Sequence, residues 1–304
     1  MKGKISYIQD SNGIKLPVTV LEALRFKGYN LSEFIFPTYN KLFACMGDSI
    51  TSTQVTNMGK LIHDRLYVEY LKESDDIMFG NLACGYATMC DVWQDGVNTT
   101  TIMLTKSENV HTSTNVLSNQ VYRLLAHTTM LNSQISYVDN EGTTHSIDTS
   151  IGVGKGYTSD IPDIIYIAGG INDGNWGNTI VDDCSDVFSQ VYANLKRDTI
   201  ASALRWIIET LQINYPLAQI FVATPLQSNI NGGWDVTKLK RDIIIKVCNQ
   251  MGVHIVDSWG ECGLNRYNVS KFSGDGVHPS INPSPIARYV ASNIIQNMII
   301  NVDK

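Results

Sequence analysis

Ser49 stands in "FACMGDSITS" (residues 43–52), directly after an apolar run and ahead of a segment with helical period. A serine at such a strand-to-helix corner, on the carboxyl side of a parallel strand, lies where α/β proteins place ligands. The helix N-terminus that follows offers N–H groups and a favourable dipole to a developing anion. That position suits a nucleophile, and it equally suits a helix cap, for which serine is common. Ser52 is the better placed of the two to be the cap. The segment is not a G-x-S-x-G elbow, because Gly47-Asp48-Ser49-Ile50 is followed by Thr51, so a catalytic base would have to come from elsewhere.

Near the other end of the chain, "FSGDGVHPS" sets Asp275 three residues before His278 in a Gly- and Pro-rich loop. In a tight turn, a carboxylate at that spacing can accept the Nδ1 proton of the imidazole and leave Nε2 facing a serine. Attack by a serine creates an oxyanion, so donors are expected at neighbouring strand ends. "NLACGYAT" places Gly85 there, where a glycine lets a backbone N–H approach closely. "IAGGIND" places Asn172 there, whose side-chain amide can donate. Separately, each residue has an ordinary structural role: a turn glycine, an Asx turn or a loop histidine.

These groups need a scaffold that brings strand ends together. From residue 41 onward, short apolar runs alternate with longer segments of helical period, the pattern of a parallel sheet covered on both faces. Strands are expected in "KLFACM", "DIMFGNLA", "DIIYIAGG", "QIFVATP" and "VHIVDS". Helices are expected in "TNMGKLIHDRLYVEYLK", "TNVLSNQVYRLLAHTTML", "DTIASALRWIIETLQINY", "VTKLKRDIIIKVCNQMG" and "PIARYVASNIIQNMII". Pro216 closes the helix before it, and Gly252 suits a left-handed cap. Two stretches break the alternation. Residues 1–40 contain "ISYIQDSNGIKLPVTV", a hairpin turning at Asn12-Gly13, and residues 86–162 contain "QISYVDNEGTTHSI", turning near Asn140 to Gly142.

The bulk composition removes several classes of function. With 304 residues and 43% apolar content the chain can bury a substantial core. Its 23 basic and 29 acidic side chains give a charge of −6, and no Lys/Arg cluster is longer than the scattered "KLKRD" at Lys238 to Asp242, which reads as the solvated face of a helix, so no nucleic-acid partner is expected. No stretch approaches the roughly 20 apolar residues of a spanning helix. The N-terminus lacks the apolar core of a secretory signal, so a soluble protein, cytoplasmic or virion-associated, is expected. The six cysteines show no CxxC or Cys/His ligand spacing and read as reduced structural thiols. The six histidines are dispersed, without a metal-binding pattern, so no metal is expected.

Taken in order, the four blocks resemble the SGNH hydrolases, also called GDSL esterases and lipases: "GDSIT" with Ser49, "NLACGYAT" with Gly85, "GIND" with Asn172 and "DGVH" with Asp275 and His278. The second block rests on one glycine; the other three are specific. The resemblance covers about residues 41–300 and implies a three-layer α/β/α flavodoxin-like fold with a parallel sheet of about five strands. It implies a serine esterase working through an acyl-enzyme, often on acetyl or acyl groups of a carbohydrate or lipid, with no cofactor. By that resemblance Ser49 attacks, His278 is general base and then acid, Asp275 orients it, and the Ser49 amide, the Gly85 amide and the Asn172 side chain form the oxyanion hole. The chain departs from the family in its long segment between Gly85 and Asn172. The expected organisation is an N-terminal extension, 1–40, and a hydrolase domain, 41–304, enlarged by an insertion at about 86–162.

A second resemblance lies at the N-terminus, where "ISYIQDSNGIKLPVTVLEAL" is similar to the segment that introduces many bacteriophage tail and tail-associated proteins. It implies assembly through residues 1–40, into a homo-oligomer or a virion, and O-deacetylation of bacterial surface glycans. Lipase, thioesterase and acyltransferase activity on the same residues remain alternatives, as does a silent carbohydrate-binding or virion module. Trp176, close behind Asn172, is a candidate for lining an acyl or sugar pocket. "GVGKG" (residues 152–156) lacks the Ser or Thr that a phosphate loop requires after its lysine.

Overall fold

Four mostly apolar stretches and a two-residue edge strand make the central sheet. They are β1 (Phe43–Gly47), β2 (Gly80–Asn81), β3 (Ile164–Ala168), β4 (Gln219–Ala223) and β5 (His254–Val256). Their order is β5-β4-β3-β1-β2, with every neighbouring pair parallel, and the edge strand β2 has only two residues. The computed structural model describes residues 7–10, 15–17, 34–35, 43–52, 56–70, 80–91, 93–96, 99–102, 116–129, 134–138, 144–148, 162–174, 184–228 and 233–301.

Both faces of the sheet are covered. Along β3, Ile165 and Ile167 enter one apolar cluster and Ile164 and Tyr166 the other, as the two-residue period of a strand dictates. The first cluster is closed by α2 (Leu117–Thr129), α3 (Ile200–Asn214) and α4 (Gly233–Met251), the second by α1 (Met58–Tyr70) and α5 (Ser284–Asn301). The alternation led to the expectation of a parallel sheet covered on both faces, and the family resemblance to that of the three-layer α/β/α flavodoxin-like arrangement seen here. Thr199 caps α3 by accepting from the Ser202 N–H, and the helix ends at Tyr215, just before Pro216. Gly252 follows α4 with φ +66°, the left-handed conformation that favours glycine. All six cysteines are buried.

Both expected hairpins form. Tyr7–Asp10 pairs antiparallel with Lys15–Pro17, and Gln134–Val138 pairs antiparallel with Thr144–Asp148. Phe34–Ile35 extends the first into a three-stranded sheet. Trp93–Gly96 and Thr99–Ile102 form a further hairpin that the alternation did not indicate. Of the stretch expected to form the second strand of the sheet, residues 76–83, Gly80–Asn81 is strand among the described residues, and residues 71–79 lie outside them.

In this strand order, β1 leads outward to β2 on one side while β3 begins the run toward β5 on the other. The crevice outside the carboxyl ends of β1 and β3 is the switch point where such sheets bind ligands.

Candidate active site

The strand β1 can end close against β3 because its last residue is Gly47. A Cβ there would lie 2.3 Å from the Ala168 carbonyl oxygen and 2.7 Å from Thr51 Oγ1. The Gln120 side chain of α2 holds the same residue from both sides: Gly47 N–H donates to Oε1 (2.8 Å), and Nε2 donates to the Gly47 carbonyl (2.9 Å). A turn follows, in which Thr51 and Ser52 N–H donate to the Asp48 carbonyl (3.1 and 2.9 Å) and Ile50 N–H donates to Asp48 Oδ1 (2.9 Å). Of the four N–H groups after Asp48, only that of Ser49 is not used by this turn.

Neither serine caps a helix. The expectation for Ser52 is corrected by the start of α1 at Met58: the chain makes a further bend, with Asn57 at φ +54°, before the helix begins. Ser52 is buried, and its hydroxyl donates back to the Ser49 carbonyl (3.4 Å).

His278 reaches Ser49 from a loop 229 residues away in sequence, with Ser49 Oγ 2.7 Å from Nε2. The other ring nitrogen, Nδ1, lies 2.6 Å from Asp275 Oδ2. With the Nδ1 proton directed to that carboxylate, Nε2 accepts and the Ser49 hydroxyl donates. Asp275 Oδ1 accepts from Ser273 Oγ (2.8 Å), Val277 N–H (2.9 Å) and His278 N–H (2.8 Å), and Gly276 at φ +78° supplies the left-handed step that closes this turn. Burial pushes the Asp275 carboxyl up, but the hydrogen bonds from His278, Val277 and Ser273 outweigh it and hold the group well below the usual carboxylate range. It therefore stays an anion beside the imidazole.

The opposite side of the site is made by two loops. Cys84 N–H donates to the Gly47 carbonyl (3.0 Å), which sets Gly85 beside the end of β1. Asn172 follows β3 by four residues, and Ala168 at the end of β3 pairs with Gly47. One N–H of the Asn172 amide donates to the Ala87 carbonyl (3.0 Å), and Asp173 accepts from Met89 and Cys90 N–H (both 2.9 Å), stapling the two loops together. Gly85 and Asn172 thus follow the two strands that flank β1, whose end carries Ser49. Trp176 lies outside the described residues. Among the described residues, no group of His, Cys, Asp or Glu is arranged to hold a metal ion, and no helix is long and apolar enough to cross a membrane.

Several residues of the site were not anticipated. Asp48 is 3% exposed, and burial pushes its carboxyl up to about 7, against the Ile50 N–H and the nearby His278, with Asp173 adding to the rise. Tyr86 is 69% exposed and has φ +62°, a strained conformation for a bulky residue, between the two loop residues Gly85 and Ala87. Lys240, expected on a solvated helix face, is 0% exposed. Helical spacing could have revealed it, since Thr237, Lys240, Ile244, Val247 and Cys248 form one buried stripe on α4.

No family model matches the chain, and no curated protein is significantly similar to it. One solved structure superposes with a TM-score of 0.50 at 12% identity, covering 86% of this chain and 99% of its own, a likeness of fold. The lipase/acylhydrolase from Enterococcus faecalis gives a TM-score of 0.47 at 11% identity, covering 84% of this chain and 96% of its own. A carbohydrate esterase family 2 enzyme with a carbohydrate binding domain, from Corynascus thermopiles (Myceliophthora fergusii), gives 0.45 at 15% identity, covering 88% and 69%.

Proposed function

We propose that this protein is a serine hydrolase of carboxylic esters of the SGNH type. The observation that carries the reading is the line Ser49 Oγ, His278 Nε2 (2.7 Å), His278 Nδ1, Asp275 Oδ2 (2.6 Å) at the carboxyl end of β1. In this reaction Ser49 Oγ attacks the ester carbonyl and gives its proton to His278 Nε2, while Asp275 holds the ring and balances the imidazolium. The oxyanion is met by the Ser49 and Gly85 N–H groups and by Asn172 Nδ2. Collapse breaks the bond to the alcohol, which takes the proton from His278 and leaves the acyl group on Ser49. Water then repeats the sequence and releases the acid.

The substrate we infer is an O-acetylated carbohydrate. The resemblance of residues 5–24 to phage tail-associated proteins supports the carbohydrate; with it goes an organisation in which 41–304 is the hydrolase and 1–40 an assembly segment. Hydrolysis of p-nitrophenyl acetate by the native chain and by Ser49→Ala tests the chemistry, with circular dichroism to check the fold. The expected loss is at least about 10⁴-fold, and equal rates refute the reading. Acetate release from acetylated glycans tests the substrate. Its absence alongside turnover of long acyl esters moves the reading to a lipase or thioesterase.

A further inference from the structure

Lys240 is fully buried, which is rare for a lysine and costs desolvation unless the ammonium is hydrogen-bonded. It comes from α4 and donates to the carbonyls of Ile171 (3.1 Å) and Asp173 (2.7 Å), the residues on either side of Asn172. Four residues on, one turn along the same helix face, Ile244 supports the start of this loop: a Cβ on Gly170 would lie 3.4 Å from Ile244 Cδ1. The loop is therefore laid along α4, with an apolar contact at one end and two charge-assisted hydrogen bonds at the other. The groups facing the ammonium are these two carbonyls, the Asp173 carboxylate and Cys90. Through the Asp173 side chain, which accepts from Met89 and Cys90 N–H, the same clamp reaches the loop that carries Gly85.

Resting on the esterase reading above, we infer that Lys240 is a positioning residue: by holding the peptide carbonyls on both sides of Asn172 it aims the Asn172 amide at the oxyanion, and it acts on the reaction only through that amide. The burial that pushes its ammonium down from the ordinary lysine value is offset in part by the neighbouring Asp173. Misplacing a donor by about 1 Å is enough to slow a reaction on the order of 100-fold.

The test is a double-mutant cycle on the full chain. Lys240→Met keeps the bulk of the side chain and removes its donors and charge. It should lower kcat about 10- to 100-fold on a small acyl ester while KM changes less than about threefold. In an Asn172→Ala background, the same substitution should cost less than about twofold, because the amide it aims is gone. A loss of equal size in both backgrounds, or a loss that appears in KM alone, overturns the inference and leaves Lys240 a structural residue. Should Lys240→Met not fold, Lys240→Gln, which keeps two N–H donors on a shorter side chain, takes its place under the same criterion. A native chain with no Ser49-dependent turnover refutes the esterase reading and this inference with it. Ser49-dependent turnover with equal losses in the two backgrounds refutes this inference alone.

Discussion

Asp275 and His278, with side chains 54% and 21% exposed, are tied by hydrogen bonds that span at most three residues around Asp275. Asn172 and Asp173, 7% and 0% exposed, are held with Ile171 by partners 67 to 85 positions away. The first half of the site is a turn laid on the surface of the fold. The second is a piece of the core that happens to face the site. The difference separates two kinds of dependence: the turn can be damaged without unfolding the protein, whereas damage to the buried loops reaches stability and rate together.

The largest expected effect is on the exposed half. In the proposed esterase, His278→Ala should lower kcat about 10⁴- to 10⁶-fold. Thermal unfolding of the same variant should stay within about 2 °C of the native chain, since a surface substitution away from the core changes stability little. A large drop in Tm would break the comparison by making this turn part of the core.

Asp48 stands between the halves, with His278 and Asp173 both close enough to act on its charge. Burial raises its carboxyl from 3.8 to about 7, so the folded state keeps a proton that the unfolded chain has already released. Stability is therefore lost as pH rises from about 4 to about 7, by up to roughly 4 kcal/mol. Asp48→Asn keeps an oxygen for the Ile50 N–H and removes the titration. Urea melts should find the variant equal to the native chain at pH 4 and more stable at pH 8. A gap that does not change with pH would place Asp48 with the exposed half instead.

Asp173→Ala sharpens the comparison from the buried side. It strips the acceptors from Met89 and Cys90 N–H and leaves the Lys240 ammonium without its neighbouring carboxylate. A stability loss of about 3 kcal/mol, together with at least about a tenfold fall in kcat, is expected from denaturant melts and steady-state kinetics. A fall in rate with no change in stability would mean that the two halves are built alike.

The same division decides how much of the molecule was legible in its sequence. The layered fold could be read because each strand and helix carries its own period: Ile164 to Ala168 and the stripe of α3 announce themselves locally. The Asp275–His278 pair could be read for the same reason, as its spacing is its geometry. Lys240 was misread because charge alone suggested a wet helix face, and only the partner loop, 67 residues upstream, makes its burial tolerable. Ser52 was misread as a cap because nothing local reveals that α1 waits until Met58. The Trp93–Gly96 hairpin escaped notice because its partner strand, "TTTI", has no apolar alternation to mark it.

The smallest expected effect concerns Tyr86, an exposed residue within the buried half. The turn that holds it is closed by Ala87 N–H donating to the Cys84 carbonyl (3.3 Å), and φ +62° at Tyr86 costs about 1 kcal/mol for any residue with a Cβ. Glycine adopts that conformation freely but loses more entropy on folding, so Tyr86→Gly should gain only about 0.5 kcal/mol, and Tyr86→Ala, which keeps the strain, should gain nothing. Urea melts of the two variants side by side read the difference. If glycine gains and alanine does not, the fold tolerates a strained tyrosine at the rim of its site, and the exposed ring has no packing role to account for it. If both variants lose stability, the ring is held by contacts of its own, and the boundary between the two halves runs on the solvent side of Tyr86.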